Sequence, residues 1–104
     1  MSADGRHIVH SHGGQPGSDR GQYNAPFHLA VDDNGFVFVA DLFNRRVRLL
    51  SPTLGHVREI VNQDQLKGLP RRLCLDVKRR RLYVAEGEWK EGVYTSGRVV
   101  VFSV

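Results

Sequence analysis

The sequence predicts an all-β fold made of two copies of one small sheet-forming unit. Three observations predict it. The stretches "PFHLAVDDNGFVFVADLFNRRVRLL" from Pro26 and "PRRLCLDVKRRRLYVAEG" from Pro70 match in kind at nearly every position. The apolar segments are short, rich in Val, Leu, Phe and Tyr, and bounded by turn residues, as strands are. No window of a dozen residues carries a 3.6-residue apolar stripe, which leaves almost no helix.

Taken in order, "HIVHS" (His7–Ser11) precedes a Gly-rich loop just as "HVREIV" (His56–Val61) precedes the second copy, and it reads as an outer strand d. Residues around 27–32, 36–40 and 46–51 read as strands a, b and c of one unit, with 56–61 as its d. Residues around 72–76, 81–85 and 98–103 are a, b and c of the next, which lacks its d. "DDNG" (Asp32–Gly35) is a hairpin turn in which Gly35 supplies the positive φ, and "SPTLG" (Ser51–Gly55) reads the same way. "LAVD" and "LCLD" are near-continuous apolar runs, expected of strands covered on both faces. Ala30 and Cys74 share one slot, where a small buried residue suits a tapering unit.

Pro26 and Pro70 are 44 residues apart, Ala40 and Ala85 45, and Arg46–Leu50 has a later match in Arg98–Phe102. That period suits blades of a β-propeller, at roughly 40–50 residues each. The expected architecture is a segment of about two four-stranded antiparallel blades in the order d-abcd-abc. The first repeat covers about 20–61 and the second about 62–104, with residues 7–11 completing another blade.

"GQYNAPFHLAVDDNGFVFVADLFNRRVRLL" resembles an NHL repeat, whose form is G-Q-F-N-x-P, then A-V-D-x-x-G, then A-D-x-x-N-x-R-V. Gly21, Gln22, Tyr23, Asn24 and Pro26 match the opening; Ala30, Val31, Asp32 and Gly35 the core; Ala40, Asp41, Asn44, Arg46 and Val47 the close. The second repeat departs from the pattern. Pro70 and Asp76 are kept, but Glu86 stands for Asp, "KRRR" replaces the turn, and "EGEWKEGVYTSG" lengthens the loop before Arg98. The resemblance implies a six-bladed propeller, often the C-terminal domain of tripartite-motif proteins, and through them substrate selection in a ubiquitin ligase. One cysteine excludes a RING or B-box zinc module within these residues.

At about 45 residues a blade, 104 residues supply two blades, whereas propellers close with roughly 4–8. The expectation is that the chain is a piece of a longer protein; self-association of three copies into a ring and a two-blade wedge are the alternatives. Net charge is +4, no apolar run is long enough for a bilayer, and the start has no signal-peptide core, so a cytoplasmic, non-membrane protein is expected.

Alternate connections of an antiparallel meander lie at opposite ends. One end should therefore gather 12–27, 41–45, 62–71 and 86–97, and with them Arg45, Lys67, Arg71, Arg72 and Lys90 among Phe43, Trp89 and Tyr94. The other end takes Lys78, Arg79, Arg80 and Arg81, a solvated turn. Arg46 and Arg98 follow Asp41 and Glu86 at equivalent positions and read as repeated structural ion pairs. His10 and His12 would point the same way on a strand but do not make a metal site. His28 has Arg72 as its counterpart, so no ring of ligands repeats, and Cys74 has no nucleophile context. No cofactor or metal is expected. The expected function is non-catalytic binding of a protein partner by the basic, aromatic end. Single-stranded RNA on the same end is the alternative, and a metal-dependent lyase or hydrolase the third reading.

Overall fold

The computed structural model describes residues 8–19 and 21–104, with the backbone alone at 94–96. The fold is all-β, with two antiparallel sheets. Sheet 1 has the order β1 (Pro26–Val31), β2 (Val37–Asp41), β3 (Arg46–Leu50), β4 (His56–Val61); sheet 2 has β5 (Leu69–Asp76), β6 (Arg81–Lys90), β7 (Val93–Ser103). A single turn of 3-10 helix at Leu42–Asn44 joins β2 to β3. Among the described residues no helix is long and apolar enough to cross a membrane.

The two sheets are built on one register. In sheet 1, Ala30, Phe38 and Leu49 form one cross-strand row and His28, Ala40 and Val47 the next. In sheet 2 the rows are Cys74, Tyr83, Val101 and Arg72, Ala85, Val99. Even the irregularities correspond, with a bulge between Pro26 and His28 and another between Pro70 and Arg72.

Because strand side chains alternate, each sheet offers one face to the other. Phe38, Ala40, Val47 and Val61 of sheet 1 pack on Leu73, Leu82 and Val84 of sheet 2, with Leu66 from the loop between the sheets. Each buried Val, Leu or Phe side chain among them contributes about 1.5–3 kcal/mol. A smaller cluster of Tyr23, Val39 and Leu50 lies on the far face of sheet 1. There Tyr23 also carries the Arg48 guanidinium at 4.8 Å from its ring centre, and its hydroxyl pairs with His12 Nδ1 at 2.7 Å.

Several expectations need correction. β1 and β5 are not covered on both faces: Phe27, Leu29 and Val31 are more than half exposed, and Cys74 is exposed rather than buried. Among the described residues no third sheet stands against the outward faces of the two. Residues 8–11 are irregular rather than a strand, so His10 and His12 are not strand neighbours; His7 lies outside the described residues. The stretch 86–97 is not a long loop. β6 and β7 run on as a hairpin, closed at Glu91 and Gly92 with φ of 50° and 81°. Two successive positive φ values are the hairpin turn that matches strand twist. In "SPTLG" the left-handed residue is Leu54 (φ 66°), not Gly55. At Gly35 the expectation holds, with φ 87°.

Candidate binding groove at the loop end of the sheets

The loops before β1 and between β4 and β5 meet the β2–β3 and β6–β7 connections at one end. Leu42 and Phe43 N–H groups donate to the carbonyls of Ala25 and Asn24, and Gln63 Nε2 donates to the Asn44 carbonyl. Two buried carboxylates hold this end together. Arg46 Nε donates to Asp41 Oδ2 at 2.8 Å, and Arg98 Nε donates to Glu86 Oε1. Each arginine also reaches back to the same loop position, Arg46 to the Gln22 carbonyl at 2.9 Å and Arg98 to that of Gln65 at 3.3 Å. Burial pushes the Glu86 carboxyl up, but the Gly68 N–H, Arg98 and the Lys67 N–H outweigh it and hold it below its ordinary value.

A groove of about 390 Å³ opens at this end, lined by Phe43, Arg45, Lys67, Trp89 and Lys90, with Gly68, Leu69, Gly87 and Glu88 between them. Five of the eight residues expected to bind are therefore in one place. Phe43 and Trp89 are each 48 % exposed. Arg45 is set by a left-handed backbone (φ 48°, ψ 54°) that ends the 3-10 turn and aims the chain into β3. Trp89 is placed by the β6 extension, and Lys90 pairs with Glu88 at 3.1 Å.

Arg71 and Arg72 do not line this groove. β5 begins at Leu69, so both belong to the sheet rather than the loop, and Arg72 lies exposed in the row of Ala85 and Val99. The Tyr94 side chain is outside the described residues; its backbone pairs with Trp89. Sequence reasoning also missed two structural roles. His28 Nδ1 accepts the Leu73 N–H at 3.0 Å and so ties β1 to β5. Arg48, only 1 % exposed, donates to the Gln22 carbonyl and pairs with His56 Nδ1 at 2.8 Å. The available signal was a charged residue two positions after Arg46, hence on the same sheet face. Among the described residues no three His, Cys, Asp or Glu side chains gather as metal ligands. Compared with models of known families and with curated proteins, the chain matches none of them.

Proposed function

We propose that the two sheets are adjacent blades of an NHL-type propeller segment, and that the chain is a non-catalytic binding module for a protein partner. The observation that carries the binding role is the groove in which Phe43 and Trp89, both half exposed, stand among Arg45, Lys67 and Lys90. Aromatic and arginine side chains around a concave site are the residues that dominate protein interfaces. Glu88 within the groove, and Glu86 in the adjoining cavity that shares its Lys67, Gly68, Gly87 and Glu88, temper the field, which favours a mixed apolar and acidic polypeptide over a polyanion. The blade reading is supported by the shared register and the repeated carboxylate–arginine stations. An exposed free thiol at Cys74 suits a reducing, cytoplasmic setting. In such a setting the module would help choose substrates for a ubiquitin ligase.

Selection from a displayed random peptide library, with Trp89→Ala as the counter-selected control, tests this. Peptides carrying an apolar anchor and acidic neighbours, lost on Trp89→Ala, are the expected result. The second reading, single-stranded RNA, rests on the same rings flanked by cations, on which bases stack. It is preferred if no peptide is enriched while an oligouridylate binds with an affinity that falls steeply with salt.

A further inference from the structure

The faces left open on the two sheets are the repeat equivalents of the two faces that pack together inside the chain. Sheet 1 meets sheet 2 through Ala30, Phe38, Ala40, Val47 and Leu49. The positions equivalent to these in sheet 2 are Cys74, Tyr83, Ala85, Val99 and Val101, and they form its outward face. Val99 is 66 % and Val101 48 % exposed.

The converse also holds. Sheet 2 receives sheet 1 on Leu73, Leu75, Leu82 and Val84. Their equivalents in sheet 1 are Leu29, Val31, Val37 and Val39, all on its outward face; Leu29, Val37 and Val39 line an open groove of about 460 Å³ there with Tyr23 and Leu50. Tyr23 stands where the second repeat has Leu66, a residue of the core between the sheets. It therefore forms part of the seat rather than a plug.

We propose that these two open faces bind each other between copies of this chain, the outward face of sheet 2 in one copy on the outward face of sheet 1 in the next. The contact repeats the packing that already exists within each chain row for row, with Arg72 at the rim where that packing has His28. It is heterologous, and such contacts propagate until a ring closes. The same docking brings residues 8–11, with exposed Ile8 and Val9, beside the free edge of β7, where β4 covers β3 in sheet 1. This surface is separate from the loop-end groove.

Light scattering of the whole chain across a concentration series tests the proposal, with two blocked variants. Val99→Glu plus Val101→Glu blocks one face, and Leu29→Glu plus Val31→Glu the other; all four positions are exposed, and circular dichroism checks that the fold survives. The wild type is expected to exceed one chain mass, each variant to stay at one, and their equimolar mixture to form a species of two chains and no larger. A wild type that stays monomeric at every concentration overturns the proposal. So does association surviving in either variant, or a mixture that stays monomeric.

A second measurement avoids the charged substitutions. With Leu29→Cys and the native Cys74, a short bismaleimide should yield a ladder of covalent multimers that disappears when Cys74→Ser is added. No ladder, or one that persists without Cys74, also overturns it.

Discussion

Asp41 and Glu86 occupy the same register position, opposite Pro26 and Pro70, yet the two repeats satisfy their buried carboxylates differently. Asp41 accepts the Asn24 N–H on one oxygen at 2.7 Å, and Asn44 Nδ2 and Arg46 Nε on the other, each at 2.8 Å. Glu86 accepts the N–H groups of Lys67 and Gly68 on one oxygen, at 2.8 and 3.0 Å, and Arg98 on the other. The second repeat has no Asn44 because its β6–β7 hairpin replaces the 3-10 turn. Its extra residue before Pro70 brings a second N–H within reach, and the longer glutamate meets it. A buried charge must be paired and hydrogen-bonded, and two local sequences reach that end with different donors. The stations differ in enclosure as well: the Arg46 side chain is 11 % exposed and that of Arg98 44 %.

The largest expected effect follows from that difference. Asp41→Ala strands an enclosed guanidinium and should cost about 3–5 kcal/mol. Glu86→Ala should cost less, about 1–3 kcal/mol, because Arg98 regains water while two N–H groups lose their acceptor. Urea unfolding of both variants measures the gap; equal losses would break the comparison.

His28 and Arg72 sharpen it next. They are equivalent in register, but only His28 makes a bond between the sheets. His28→Ala leaves the Leu73 N–H without its acceptor and should cost about 1–3 kcal/mol. Arg72→Ala, at an exposed site, should stay within about 0.5 kcal/mol.

Acid titration probes the Glu86 station. Its folded carboxyl lies below the ordinary value of 4.5. The stability it contributes is therefore present above 4.5 and is lost as pH falls from there through the folded value. Glu86→Gln, followed by denaturant midpoint against pH, should flatten that part of the acid limb. An unchanged slope would mean that the carboxylate is not bound as described.

The smallest effect concerns the turns at the opposite end. Sheet 1 turns with Gly35 at φ 87°, whereas sheet 2 places Arg80 at φ 54°. A left-handed residue with a Cβ is strained by roughly 1–2 kcal/mol. Arg80→Gly, offset by the entropy glycine adds to the unfolded chain, should raise the unfolding free energy by up to about 1 kcal/mol. A loss would show that the Arg80 side chain matters to the turn.

Much of this was legible in the residues. Pro26, Asp41 and Arg46 recur as Pro70, Glu86 and Arg98, and strands alternate with a period of two, which is why the order from β1 to β7 and the gathering of five groove residues could be read in advance, but not the irregular course of residues 8–11. The β6–β7 hairpin was not legible as strand, because "EGEWKEG" is polar and its pairing depends on a two-residue turn whose first member is Glu91. Arg71 was misplaced because β5 begins at Leu69 rather than near residue 72, and Arg72, read at the start of a strand, lies on the sheet's outward face rather than at the loop end.

By itself, the sequence determined what is local and repeated: apolar alternation, turn residues and the acid–arginine pairs, all set by chemistry within a few residues or one strand pair. Only the tertiary structure decided which faces are covered. Cys74 and Ala30 occupy the same slot in the pattern, yet Ala30 packs into the core between the sheets and Cys74 faces outward. Burial depends on what stands opposite a face, and a strand's own residues do not encode its neighbour.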